Sequence, residues 1–347
     1  MSAPVFSIVV PAYNEEKNIP AFLAAIVPVM EGLGEAFEIV FVDDGSRDGT
    51  LGMLAAASSQ DPRVRVVGLA RNFGKDTALS AGLAHATGQA VIPIDCDLQH
   101  PVDVIPQFVA KWREGFDMVL GVRKKRDEEG LLRRTAARSY YRIMKMMTSV
   151  EIPASAGDFR LLDRKIVDVI NSMPERHRFM KGIFAWPGFK VASIDFQAAV
   201  RANETRSTWS FFRLWRFALD GLFSFSTAPL KIWTYVGVAC AFASFVYLLV
   251  TVIQKLFFGI DVPGYASLLI LLLFFNGLSL ISNGIQGEYI GRIFEEVKGR
   301  PLYVVGSRFG FARAEAAQEK RRPSVVEVVS GESAAESGAH RAAAGRK

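Results

Sequence analysis

The chain has 347 residues, half of them hydrophobic, with a formal net charge of +6 and two cysteines. This length and apolar content exclude a disordered chain and allow a large core in more than one structural unit. Cys96 and Cys240 lie far apart, which disfavours a disulfide framework or a cysteine metal centre and is typical of a reducing compartment. Residues 1–6 have neither a basic segment nor a long apolar run, so we expect no cleaved signal peptide.

From residue 6 to about residue 121, short apolar runs alternate with segments of helical periodicity. This pattern predicts an α/β fold with repeated βα units around a mostly parallel sheet. The predicted strands are 6–11, 38–42, 64–69, 90–94 and 118–121, and the predicted helices are 19–30, 49–59, 75–86 and 104–115. Open sheets of this kind bind ligands at the carboxyl ends of their strands, so we expect the polar segments that follow these strands to share one edge.

Two acids one residue apart, Asp95 and Asp97, follow the fourth predicted strand. One explanation is only a polar strand exit that turns at Pro101. The other is a divalent cation, because carboxylates with room for substrate phosphates suit Mg²⁺ or Mn²⁺. A single D-x-D is common by chance, but acids also follow the first two strands, and this favours the cation.

The first two strand ends carry residues suited to a nucleoside. Tyr13 can stack on a base while Glu15 accepts hydrogen bonds, although Asn14 is equally able to cap a helix that begins here. Asp43 and Asp44 precede a glycine turn after the second strand. No G-x-G-x-x-G or Walker A sequence is present, which disfavours a dinucleotide or ATP site.

The later part of the chain has a membrane pattern. Residues 232–258 and 265–285 are each long enough to cross a hydrocarbon core, which takes ~20 residues. Basic residues crowd the outer ends of this pair and are scarce in the connector, so both ends are predicted to face the cytoplasm. The predicted organisation is a cytoplasmic catalytic domain at 1–202, juxtamembrane amphipathic helices at 203–231, two transmembrane helices at 232–287, a short cytoplasmic segment at 288–311 and a disordered tail at 312–347. For the amphipathic part, an ordinary packed surface helix is nearly as good an explanation. The aromatic residues of segment 211–225 are not accompanied by a basic groove for a single strand, so we expect no nucleic-acid partner.

Five short motifs together point to a known family. They are VPAYNEE at 10–16, VDDGS at 42–46, RNFGK at 71–75, DCDLQHP at 95–101 and GDFRLL at 157–162. In combination they resemble the family 2 glycosyltransferases of GT-A fold, in the bacterial polyprenyl-phosphate branch related to dolichol-phosphate mannose synthase. The resemblance spans about residues 6–305 and includes the hairpin. It implies inverting transfer of a sugar from a UDP- or GDP-sugar to undecaprenyl phosphate at the bacterial inner membrane, and it suggests a homo-oligomer.

The resemblance also implies roles for individual residues. Pro11, Tyr13, Glu15, Val42 and Asp44 are expected to hold the nucleoside, Asp95 and Asp97 the metal and donor diphosphate, and Arg123 the donor phosphate. Asp97 and Arg123 are thereby expected to stabilise the leaving diphosphate. Together with Asp158 they are the predicted catalytic residues. Asp158 is a candidate general base, yet a phosphate acceptor, with its second pKa about 6, needs no strong base. Asp158 can therefore orient substrate instead, or cap a helix that starts at Phe159.

The acceptor phosphate is expected to meet arginines, since the guanidinium matches phosphate geometry. The candidates are Arg176, Arg178 and Arg201, for each of which a solvated surface role is as good an explanation. The loop at 203–209 departs from the family, which usually has a glycine and a lysine there. Arg206 is the candidate for the missing cation; otherwise the phosphate is held differently.

Two other functions fit the same residues. A processive polysaccharide synthase shares the fold, but the chain lacks a Gln-x-x-Arg-Trp sequence and has only two apolar spans for a polymer channel. A membrane-anchored protein that binds nucleotide sugars without turnover is disfavoured by acids at all three strand ends.

Overall fold

The computed structural model describes residues 4–123, 156–197, 226–258, 264–311 and 325–327. In chain order its elements are β1 (Phe6–Ala12), α1 (Ile19–Glu31), β2 (Phe37–Asp43), α2 (Thr50–Gln60), β3 (Val64–Leu69), α3 (Lys75–His85), β4 (Ala90–Pro93), α4 (Ile105–Arg113), β5 (Met118–Arg123), β6 (Ala156–Asp163), α5 (Arg164–Ser172), α6 (Met180–Ala185), β7 (Val191–Phe196), α7 (Ala228–Phe258), α8 (Tyr265–Val297), β8 (Tyr303–Phe309) and β9 (Val325–Glu327). A 3₁₀ turn at Val102–Val104 leads into α4.

The nine strands form one sheet in the order β7-β5-β6-β4-β1-β2-β3-β8-β9. Strands β4, β1, β2 and β3 pair in parallel, which confirms the predicted βα repeat. β2 is buried along its whole length, as expected of a parallel strand covered by helices on both faces. Its neighbouring side chains face opposite layers: Phe41 packs in a cluster with Phe22 of α1, and Val42 packs in another with Ala78 of α3.

Strand β6 was not among the predicted strands. It lies between β5 and β4 and pairs antiparallel with both. The explanation of Asp158 as a helix cap is therefore wrong, because Asp158 lies within this strand. Because β6 runs against its neighbours, its first residues lie at the edge where β4 and β5 end.

The residues after the second apolar helix also differ from expectation. Helix α8 continues to Val297, and β8 pairs antiparallel with β3, extending the sheet. The chain divides into two compact units, one made of Met1–Thr135, Glu151–Thr208 and Arg300–Lys347 and the other of Ala136–Val150 and Trp209–Gly299. We call these the sheet unit and the hairpin unit.

The hairpin unit contains two helices long and apolar enough to cross a membrane, Ala228–Gln254 and Ser267–Val297. The most apolar stretch of each helix has no residue buried against protein. The Oη of Tyr289 in α8 donates a hydrogen bond of 2.5 Å to the backbone oxygen of Ser226, which lies just before α7. A pair of long helices that exposes its apolar side chains along this length is characteristic of a membrane protein.

Candidate active site

Hydrogen bonds tie the β1–α1 loop to the β2–α2 loop. The backbone N–H of Asn14 donates to Ser46 Oγ, and Asn14 Oδ1 accepts from the N–H of Arg47, both at 2.9 Å. Helix α1 begins only at Ile19, so Asn14 is not its cap. Asn14 instead has a positive φ of 56°, which is uncommon for a residue other than glycine and turns the loop sharply. Tyr13, the residue before this turn, is 42% exposed.

Asp44 holds the next loop along the edge. Its two carboxylate oxygens accept from the N–H groups of Phe73 and Gly74 at 2.7 and 2.9 Å. Burial raises the pKa of Asp44, and these two hydrogen bonds oppose the rise. The two loops touch at Gly45, where φ is +65° and an added Cβ would lie 2.4 Å from the carbonyl carbon of Arg71. Only glycine fits this approach.

The other predicted nucleoside residues occupy the same edge with different exposure. Val42 is fully buried, so its contact with a nucleoside would be made by its backbone. Pro11 pairs with Val42 in the sheet register and is partly exposed. The carboxylate of Glu15 accepts a 2.5 Å hydrogen bond from Asn18. Burial raises the pKa of Glu15, that hydrogen bond opposes the rise, and the negative charges of Asp97 and Asp95 add to it.

Lys75, the first residue of α3, connects the strand-end acids. Its Nζ lies 2.7 Å from Asp95 Oδ1 and 2.9 Å from Asp158 Oδ2. Asp95 follows β4, and Asp158 belongs to β6, so one ammonium group joins three separate parts of the chain. Burial opposes a charged lysine, but attraction to Asp158 and Asp95 outweighs it and raises the pKa of Lys75.

Asp158 is held as a carboxylate. Burial on its own would raise the pKa of Asp158, yet the charge of Lys75, followed by that of Arg160, keeps it below the usual range. Side-chain exposure of Asp158 is 21% and that of Lys75 is 47%, so a ligand can reach both groups. A carboxylate whose pKa is lowered accepts a proton poorly at neutral pH and accepts hydrogen bonds well.

The D-x-D loop is folded on itself. Asp97 Oδ1 accepts from the backbone N–H of Gln99 at 3.1 Å, and the Gln99 side-chain amide donates to the other oxygen of Asp97. Between them Leu98 has a positive φ of 55°. Cys96 is 2% exposed, and burial raises the pKa of its thiol to about 12, which leaves it unreactive.

Arg160 supports the GDFRLL strand from inside the protein. It is 3% exposed, its guanidinium lies 4.0 Å from the centre of the Phe184 ring, and it donates a 2.5 Å hydrogen bond to the oxygen of Gly157. Burial lowers the pKa of Arg160 to about 10, with the charge of Asp158 opposing, so the group stays cationic at neutral pH. A buried cation next to Asp158 compensates its charge and fixes the backbone that carries it.

Lys75, Arg160 and Gln99 were not predicted as site residues, although each lies inside one of the five family motifs. RNFGK contains Lys75, GDFRLL contains Arg160, and DCDLQHP contains Gln99. A polar or basic residue inside a strand-end motif was the available signal. Their partners depend on which strand ends are adjacent in the sheet.

The predicted phosphate-binding arginines are more scattered. Arg123 is exposed at the end of β5, on the edge where β4 also ends. The Arg178 guanidinium donates to the backbone oxygens of Ile170, Met173 and Glu175 at 2.8 to 3.1 Å and so closes the end of α5. The backbone N–H of Arg178 donates to the oxygen of Arg176 at 3.1 Å. Arg201 and Arg206 lie outside the described residues.

Comparison with known proteins adds independent information. Residues 7–170 match the family model for glycosyl transferase family 2, and residues 228–293 match the model for the GtrB C-terminal hairpin. An uncharacterized glycosyltransferase of Synechocystis is 46% identical, with the match covering 88% of this chain and 95% of the relative. A prophage-derived bactoprenol glucosyl transferase of Shigella flexneri is 45% identical over 86% of this chain and 96% of its own.

A solved structure, glucosyl-3-phosphoglycerate synthase from Mycobacterium tuberculosis with Mn²⁺, UDP and phosphoglyceric acid, is 22% identical with a TM-score of 0.42. That match covers 63% of this chain and 76% of the other, and at this level it carries no argument about ligands. The two family models and the 46% identity over nearly the whole relative show the family. The chain is a glycosyltransferase and belongs to glycosyl transferase family 2.

Proposed function

We propose that this enzyme transfers one sugar from a nucleotide-sugar donor to the phosphate of a polyprenol, with inversion at the anomeric carbon. Glucose is the first candidate for the sugar. The observation that carries the proposal is the 45% identity, over 86% of the chain, to a protein named bactoprenol glucosyl transferase. The matching hairpin model at residues 228–293 supports a lipid-linked acceptor.

The donor side of the site is proposed to be the edge formed by the β1, β2 and β4 loops. Tyr13 would stack on the base, and Pro11, Glu15 and the backbone of Val42 would line the nucleoside pocket. Asp44 contributes mainly through the loop that it holds, since both its oxygens already accept hydrogen bonds from backbone N–H groups. Arg123 would contact the donor phosphate from the end of β5.

A divalent cation, Mg²⁺ or Mn²⁺, is proposed at Asp95 and Asp97. The described residues contain no group of three or more acidic, histidine or cysteine side chains able to hold a metal by themselves. Two carboxylates at a strand end nevertheless fit an ion that takes its remaining ligands from a diphosphate and water. The attraction of the Lys75 ammonium to Asp95 shows that this edge favours positive charge. When bound, the ion would offset the charge of the departing nucleoside diphosphate.

Asp158 is proposed to orient substrate hydroxyl or phosphate groups rather than to remove a proton. Its pKa is lowered through the charges of Lys75 and Arg160, which makes it a weak base. The acceptor phosphate is already ionised at neutral pH, with its second pKa about 6, so it can attack without a base.

On the acceptor side, Arg176, Arg201 and Arg206 are proposed to bind the polyprenol phosphate. Arg178 is proposed to act mainly by holding the loop that carries Arg176, because its guanidinium is engaged by three backbone oxygens. We further propose that both hairpin helices span the bacterial inner membrane, that the sheet unit faces the cytoplasm, and that the protein forms a homo-oligomer. Fusions of a reporter after residue 311 and within residues 259–263 would test the orientation.

The decisive experiment uses the full chain in nanodiscs with Mg²⁺ or Mn²⁺. A panel of UDP- and GDP-sugars is first screened by thermal shift and then, labelled, assayed for transfer to undecaprenyl phosphate. We expect one sugar per lipid and, by NMR of the product, an inverted anomeric configuration. Many sugars per lipid would instead indicate a processive synthase, and tight donor binding without transfer would indicate a binding protein.

A further inference from the structure

Lys75 lies between the donor side and the acceptor side of the proposed site. Its ammonium bridges Asp95, on the donor side, and Asp158, on the side assigned to the acceptor, at 2.7 and 2.9 Å. The backbone in front of it is fixed, since Asp44 binds the N–H groups of Phe73 and Gly74. The side chain therefore extends from an anchored point to the place where the two halves of the site meet.

This place has an excess of negative charge for an enzyme with anionic substrates. Asp95, Asp97, Asp158 and Glu15 all contribute carboxylates, and under the proposed function both the diphosphate donor and the phosphate acceptor add more. Like charges brought together without a compensating cation repel each other strongly where solvent is partly excluded. A cation at the metal position serves the donor, and beside Asp158 the acceptor phosphate needs a further cation in addition to the proposed arginines.

Lys75 meets the chemical requirements for that role. An ammonium has three N–H donors and no acceptor. Here it lies within 2.9 Å of both oxygens of Asp95 and of one oxygen of Asp158. Its side chain is 47% exposed, so a ligand can approach without unfolding the site. If Asp95 turns to another cation, the N–H donors that Lys75 directs at Asp95 become available to a ligand. The hydrogen bond to Asp158 still holds the ammonium in place.

We infer that Lys75 is a phosphate-binding residue for the acceptor: it remains paired with Asp158 and donates its other N–H groups to the phosphate monoester of the lipid. The inference rests on the proposed function, which supplies the acceptor. The same ammonium is chemically able to contact the donor diphosphate, and the experiment separates these two phosphates.

The test compares the full-length enzyme with Lys75→Met, which keeps an unbranched side chain shorter by one atom and removes its charge. Lys111→Met is the matched control, because Lys111 is 41% exposed and pairs with Glu114 on the surface of α4. We measure the KM for undecaprenyl phosphate, the KM for the donor, and the slow hydrolysis of the donor in the absence of lipid. Loss of a charged hydrogen bond predicts an increase of about 10- to 100-fold in the acceptor KM of Lys75→Met. The donor KM and the hydrolysis rate should change less than about threefold, and Lys111→Met should change none of the three.

A double variant, Lys75→Met with Asp158→Asn, distinguishes binding from simple neutralisation and removes the carboxylate that would be left unpaired. If Lys75 binds the phosphate, the acceptor KM of the double variant stays above that of Asp158→Asn. If Lys75 only neutralises Asp158, the acceptor KM of the double variant equals that of Asp158→Asn. Lys75→Arg should recover part of the affinity, since a guanidinium also binds phosphate.

An acceptor KM unchanged in Lys75→Met, or a donor KM that rises as much as the acceptor KM, would overturn the inference and leave the proposed function intact. Absence of any lipid product with the unaltered enzyme would refute the proposed function itself, and with it the role of Lys75.

Discussion

The sheet unit and the hairpin unit treat their apolar side chains in opposite ways. Phe41 and Phe108 in the sheet unit have no exposed surface, whereas Phe242 and Leu256 in α7 are 69% and 75% exposed. One cluster of charged residues of the sheet unit lies at the edge of the sheet where Lys75 pairs with two acids. The difference indicates that the sheet unit is built for water and that the hairpin unit is suited to a membrane, where exposed hydrocarbon carries no penalty.

The same substitution in both units tests this contrast most strongly. Phe41→Ala should lower the free energy of unfolding of the sheet unit by about 3–5 kcal/mol, because it empties a site in the packed core. Phe242→Ala removes a side chain that faces outward and should lower the unfolding free energy of the hairpin by less than about 1 kcal/mol. Denaturant unfolding in detergent micelles, followed by probes in each unit, measures both. A large loss for Phe242→Ala would mean that α7 is packed against protein.

The polar edge is tested by Asp97→Asn in the full chain. Replacing one of the two proposed metal ligands should lower the rate of transfer by at least about 100-fold, because charge on the leaving diphosphate is no longer offset. The control is Asp103→Asn, which makes the same change at an exposed acid in the turn before α4. Undiminished transfer by Asp97→Asn would contradict the metal role.

Asp76, next to Lys75, sharpens the picture of the edge through pH. Burial, and after it the charge of Asp158, raises the pKa of Asp76 to about 6. The unfolded value is about 3.9, so between the two values the folded state keeps a proton that the unfolded state has lost. Stability therefore falls as pH rises from about 4 to about 6, and the cost is fully present above that range.

Asp76→Asn should remove this dependence. At pH 8 the variant should be more stable than the unaltered protein by about 1–3 kcal/mol, and at pH 3.5 the two should be nearly equal. Thermal unfolding across that range, without added metal, provides the measurement. A variant less stable at pH 8 would show that the ionised Asp76 is stabilising, through Lys75 or Lys181.

The smallest expected effect concerns Arg178. Arg178→Ala removes the hydrogen bonds that close α5 and should lower the stability of the sheet unit by about 1–2 kcal/mol. Its acceptor KM should rise less than that of Arg176→Ala, since Arg178 is proposed to act through the loop. The reverse order would assign phosphate binding to Arg178 directly.

Local patterns were sufficient to predict the first five strands, the first four helices and the apolar hairpin. Each of these depends on periodicity within a window of ten to twenty residues, which neighbouring side chains determine. β6 and β8 were missed for a different reason. β6 is placed between two strands that come before it in the chain, and β8 pairs with β3 across the whole hairpin segment. Pairing over such separations leaves no local signal.

The sequence by itself determined which residues carry charge at the strand ends, that these ends belong to one family of glycosyltransferases, and that two helices are apolar enough to leave water. Only the tertiary structure decided which charges meet. Asp95 and Asp158 are more than sixty residues apart, and an antiparallel β6 is what brings them within reach of one ammonium group. Electrostatic energy depends on distance in space, and the order of strands across the sheet sets that distance.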